Sequence, residues 1–161
     1  MPKSIQSAVA KTLTELILEV FRLNGRLVAS GDQLTRKFGQ SSSKWQVLGA
    51  LEQGPLTVVR IADFMGLTRQ SVQRTADLLV GRGLCRFEEN PHHRRSKLVS
   101  LTEKGNRILG SISSEQIRWS NGLGGYFSKK ELREGLGAIS KLRKRLEQGR
   151  RQEDKNIEKG S

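Results

Sequence analysis

The chain has 161 residues, 35% of them apolar and 28% charged, with a formal net charge of +13. That length suits one compact domain with helical extensions, and that charge leaves a basic surface that draws polyanions by counterion release. No run of about 18 apolar residues is available to span a bilayer, no secretion signal is evident, and the single cysteine, Cys85, excludes an internal disulfide, so a cytoplasmic protein is expected.

Residues 5–29 place Val9, Leu13, Leu16, Val20, Leu23 and Leu27 at spacings of 4, 3, 4, 3 and 4, which predicts a helix with an apolar seam. Gly31 and Asp32 are expected to end or kink it, and residues 34–38 to form a short helical turn. Ser41, Ser42 and Ser43 offer N-cap oxygens to a helix bearing Trp45, Leu48 and Leu51. Gly54-Pro55 stops that helix. Thr57 caps the next, with Val58, Ile61, Ala62 and Met65 on one face. Gly66 suits a left-handed residue past its end.

Thr68 is a good N-cap for the following helix, and Leu67 before it can pack on Val72 as a hydrophobic staple. This helix runs to about Val80, where Gly81 and Gly83 break it. Residues 84–87 and 97–101 read as two short strands around a projecting loop that holds Pro91. Thr102 caps another helix, with Gly105 in its first turn and a break expected at residues 121–125. Ser128 caps the last helix, which carries Leu132, Leu136, Ile139, Leu142 and Leu146. Residues 148–161 are polar and expected to fray.

The two short helices joined at Gly66-Leu67-Thr68 form a helix-turn-helix. Val72, Ala76, Leu79 and Val80 face inward on the second. At about 100° per residue, Gln70, Gln73, Arg74 and Asp77 fall on the other side, with Arg69 at the edge. Such a face suits the major groove, because Arg can fork to guanine and Gln to adenine. Thr68 and Ser71 lie in the first turn, where hydroxyls and free N–H groups suit a phosphate. An ordinary amphipathic helix would carry a solvated outer face instead, usually rich in Glu and Lys; here it is Gln and Arg.

The loop NPHHRRSK poses a second question. His92 and His93 are sequence neighbours, so in an extended segment their side chains diverge, and Arg94 and Arg95 repel a cation. No metal and no cofactor is expected. Arg94, Arg95 and Lys97 fit DNA instead, lying along phosphates or entering a narrow minor groove.

The run PLTVVRIADFMGLTRQSVQRTADLLVGRGLCRFEENPHHRRSKLVSLTEKG resembles the winged helix-turn-helix of the MarR family of bacterial transcriptional regulators. The likeness covers about residues 45–105, with matching helices on both sides. Its most specific part is the wing, where the family favours Asp-x-Arg, then an alternating strand and Leu-Thr-x-x-Gly. Here these are His93-Arg94-Arg95 and Leu101-Thr102-Glu103-Lys104-Gly105. Arg95 matches the wing-tip arginine, implied to enter the minor groove, and Arg74 matches a basic position of the recognition helix. His93 departs from the family's acidic residue, which orients nearby basic side chains; Asp77 and Glu88 are candidates to replace it.

The resemblance implies a mainly α fold with a minor sheet. It divides the chain into an N-terminal dimerisation region (1–40), a winged helix-turn-helix domain (41–105), C-terminal dimerisation helices (106–148) and a polar tail (149–161). It implies a homodimer on a pseudo-palindrome of double-stranded DNA and, in many members, a small aromatic effector that releases it. The expected DNA-binding residues are Thr68, Arg69, Gln70, Ser71, Gln73, Arg74, Arg94, Arg95 and Lys97. Trp45, Trp119 and Phe38 read as core residues before pocket-lining ones. Cys85, in the pattern Leu84-Cys85-Arg86-Phe87, reads as a small buried residue before a redox sensor. No nucleophile, base and acid fall together, so an enzyme is not expected. The alternative function is a winged-helix module that binds RNA or protein without operator specificity.

Overall fold

The computed structural model describes residues 6–159, with side chains described through residue 149. By internal contacts the chain divides after Gln116 into two units. In chain order the elements are α1 (Ala8–Thr35), a 3-10 turn (Arg36–Phe38), α2 (Ser42–Ala50), β1 (Leu56–Thr57), α3 (Val58–Met65), α4 (Arg69–Gly81), β2 (Cys85–Glu88), β3 (Leu98–Leu101), α5 (Glu103–Gly124) and α6 (Lys129–Lys159). Among the described residues no helix is long and apolar enough to cross a membrane.

In the first unit, α1 starts at Ser7, whose hydroxyl accepts from the Ala10 N–H. The expected end at Gly31 and Asp32 does not occur; the helix continues to Thr35. The reason is packing. A Cβ on Gly31 would lie 2.8 Å from the Ser42 hydroxyl oxygen, so the glycine admits the start of α2 against α1. Asp32 then accepts the Ser42 N–H at 2.7 Å. These two residues join helices rather than end one. Ser41 is the N-cap of α2, as its hydroxyl accepts from Lys44.

The core lies between α2, α3, α4 and the small sheet. Val47, Leu48, Ile61, Val72, Ala76, Leu79 and Val99 are almost wholly buried, and Trp45, Val58, Met65, Leu67 and Val80 pack around them. The inward faces expected for α3 and α4 are therefore the observed ones. Each large aliphatic side chain buried here contributes roughly 1.5–3 kcal/mol of transfer free energy. The sheet has three strands in the order β1-β3-β2, all antiparallel. The two-residue β1, which pairs Leu56 with Val99 and Thr57 with Leu98, was not foreseen. A pair of residues that also caps a helix carries no period by which to recognise a strand.

Apolar side chains remain exposed along α1, among them Val9, Leu13, Leu23 and Leu27. In the second unit the glycine-rich stretch does end α5, but only at Gly124; the helix passes through Asn121 and Gly122. Ser128 and Glu131 form a reciprocal cap at the start of α6: the Ser128 hydroxyl accepts from the Glu131 N–H, and the Glu131 carboxylate accepts from the Ser128 N–H and hydroxyl. These bonds hold the Glu131 carboxyl below its ordinary pKa. Leu132, Leu136, Ile139 and Leu146 are exposed along α6. Its backbone stays helical through Lys159, across most of the stretch expected to fray; the side chains of the expected tail beyond residue 149 lie outside the described residues.

Candidate nucleic-acid interface

The turn between α3 and α4 is built from local chemistry. Thr57 caps α3 by accepting from Arg60. Gly66 closes it at φ 66°, a left-handed conformation that disfavours any residue with a Cβ. Leu67, half-buried against the core, leads into Thr68, whose hydroxyl accepts from the Ser71 N–H at 3.1 Å. The Ser71 hydroxyl donates back to the Thr68 carbonyl at 2.8 Å. The Ser71 donors are therefore spent on the cap. An anion at this helix start would meet the Thr68 hydroxyl and the first-turn N–H groups of Arg69 and Gln70.

With Val72, Ala76 and Leu79 buried, the opposite face of α4 is set. Arg69, Gln70, Gln73, Arg74 and Asp77 are exposed. Gln70, Gln73, Arg74, Asp77 and Leu78 line one shallow depression. Inside it the Gln73 side-chain amide donates to the Asp77 carboxylate at 2.9 Å. Asp77 and Leu78 were not among the expected contact residues. The signal for Asp77 was its position four residues after Gln73, where a Gln–Asp pair bonds on a helix surface.

The wing is tied down by hydrogen bonds at its root and open at its tip. Cys85 pairs with Leu101 and Glu88 with Leu98 across the two strands. Thr102 ties the root to α5: its N–H donates to the Leu84 carbonyl, its hydroxyl donates to the Gly83 carbonyl, and it accepts the Gly105 N–H. A Cβ on Gly105 would sit 2.0 Å from the Leu84 carbonyl oxygen. The Leu-Thr-x-x-Gly run is thus a cap followed by a close approach of helix to strand. Glu88 accepts from Ser100 and from Arg86, each at 2.7 Å, and these bonds lower its pKa from the ordinary carboxylate value.

Residues 89–97 close the wing with turn bonds only. The Asn90 carboxamide accepts the His92 N–H, the Asn90 carbonyl that of His93, and the His93 carbonyl that of Ser96. Arg94, Arg95 and Lys97 are exposed. Neither candidate brace reaches them: Asp77 is engaged with Gln73, and Glu88 with Arg86 and Ser100. Among the described residues the side chains of Arg69, Arg74, Arg94, Arg95 and Lys97 have no hydrogen-bond or ion-pair partner. Cys85, at the wing root, is 2% exposed, and burial pushes its thiol up to about 11.

A helix-turn-helix with a two-stranded wing and unpaired cations on both parts defines a winged-helix DNA-binding transcriptional regulator. Residues 32–96 match the MarR family. An uncharacterized protein of Mycobacterium tuberculosis is 40% identical over 111 residues, which cover 69% of this chain and 78% of the relative. The chain belongs to the MarR family. Solved structures share its fold. A MarR/EmrR family transcriptional regulator from an Acinetobacter species superposes with a TM-score of 0.76 at 23% identity, covering 84% of this chain and 96% of that one. Staphylococcus aureus MarR, solved in complex with salicylate and kanamycin, gives 0.70 at 16% identity, covering 89% and 99%.

Proposed function

We propose that two copies of this chain bind a pseudo-palindromic operator as a repressor in the cytoplasm. Each places α4 in one of two successive major grooves, with its wing arginines against the flanking minor groove or phosphates. The observation that carries this reading is the set of unpartnered side chains on adjacent elements, with Arg69, Gln70 and Arg74 on α4 and Arg94, Arg95 and Lys97 on the wing. Cations without an internal partner are available to phosphates, and a polar helix face without one is available to base edges.

The exposed apolar residues along α1 and along α6 support a homodimer, because long apolar seams left in water are the usual mark of a second chain. A small aromatic effector would release the DNA only if it bound one spacing of the two recognition helices better than the other. The Staphylococcus aureus protein of this fold was solved with salicylate, a small aromatic, and with kanamycin, which is not aromatic.

Selection from a random duplex pool tests the core of the reading. The expected result is a two-fold-related site of about 16–20 base pairs, from half-sites about one helical turn apart. Duplex RNA should compete poorly, because the deep, narrow major groove of the A-form excludes a helix such as α4. A chain that stays monomeric at working concentration and holds all duplexes equally would sink the proposal.

A further inference from the structure

Gln73 is ambiguous as a base reader. Its amide presents a carbonyl oxygen at one end and an NH2 group at the other, and a half-turn of the terminal torsion exchanges them. With the oxygen forward it accepts from the exocyclic amine of adenine while an N–H donates to N7. With the NH2 forward it can instead serve the acceptor edge of guanine. A glutamine free to turn over therefore discriminates weakly.

In this structure it is not free. The Gln73 Nε2 donates to the Asp77 carboxylate at 2.9 Å, one helical turn on and on the same exposed face. An ionised carboxylate only accepts, so it admits the NH2 end and repels the oxygen. The NH2 group has two hydrogens; one can be held by Asp77 while the edge formed by the other and Oε1 stays available. That edge matches adenine. Against guanine, Oε1 would face the O6 acceptor.

We propose that Asp77 is a positioning residue that fixes the direction of the Gln73 amide and so makes Gln73 select adenine at one base pair of each half-site. This rests on α4 entering the major groove as described above. Asp77 makes no base contact in this scheme. Its negative charge weakens the grip on every sequence alike, while its hydrogen bond sharpens the choice at one position.

The test is duplex selection with wild-type protein, Asp77→Asn, Gln73→Ala and the double variant. Asn can donate as well as accept, so it removes both the charge and the directional constraint. Asp77→Asn should bind most duplexes somewhat more tightly, yet lose about fivefold of its preference for adenine over guanine at one position, the lower range for a bidentate base contact. In the Gln73→Ala background the same change should leave base preference untouched, because there is no amide to orient. Both side chains are exposed, so melting temperatures should stay close to wild type. An unchanged preference in Asp77→Asn overturns the inference. So does a loss of the adenine preference that persists in the double variant, which would make Asp77 itself the acceptor of the adenine amine. Wild-type protein without any preferred sequence would instead overturn the DNA-binding reading on which this rests.

Discussion

The recognition helix and the wing tip carry similar cations in opposite mechanical settings. α4 is held from behind by Val72, Ala76 and Leu79, capped by Thr68, and has one of its outer groups tied down by Asp77. The wing tip at residues 89–97 is held by three turn bonds, and its Arg94, Arg95 and Lys97 have no partner among the described residues. Groups in fixed positions discriminate between base edges. Loosely held charges follow a phosphate backbone whatever its sequence. On the proposed DNA-binding reading, the difference in backbone support would put specificity on the helix and sequence-independent affinity on the wing.

The largest expected effect comes from detaching the wing at its root. Gly105→Ala forces a Cβ into the Leu84 carbonyl, and the backbone there must move. A stability loss of about 3 kcal/mol is expected, at the upper end for overpacking a close contact, and a denaturant midpoint would show it. Gly66→Ala, in the helix turn, places a Cβ in open space at positive φ and should cost only about 1 kcal/mol. Equal losses at the two sites would contradict the view that the wing root is the tighter joint.

Next is the wing tip itself. The Arg94→Ala, Arg95→Ala pair should weaken all duplexes by a similar factor and make the dependence of log K on log salt shallower by about two. Arg74→Ala should instead cost about 1–3 kcal/mol at a particular base pair and relax the choice there. If the wing pair shifted sequence preference and Arg74 did not, the division of labour would be reversed.

Much of this could be seen in the chain beforehand. The helix-turn-helix was legible because cap, glycine and apolar period agree over residues 57–80, and each signal is local. The wing was legible from its alternation and from Leu-Thr-x-x-Gly. Gly31 misled, because a glycine that allows helix contact and one that ends a helix look alike until the partner, Ser42, is placed. Asp77 stands on the same outward face as Gln73, but the bond between the two shows only in the structure. Asp77 and Glu88, the candidates to replace the family's acidic residue, hold Gln73 in one case and Arg86 and Ser100 in the other, and neither is paired with Arg94, Arg95 or Lys97.

The smallest effect, and the most local, concerns Cys85 on β2. The thiol lies at the buried root of the wing, and desolvation raises its pKa to about 11. Alkylation requires the thiolate, so at pH 8 the native protein should react far more slowly with a small alkylating reagent than the urea-unfolded chain, whose thiol ionises near about 8.5. The same shift links to stability. Because the folded pKa is the higher one, the neutral thiol's contribution is complete below about 8.5 and is lost as pH rises toward 11. Native protein that reacts as fast as unfolded protein would mean that the strands β2 and β3 part readily. The loose region would then extend from the tip to the root, and the contrast between a fixed helix and a wing free only at its end would not hold.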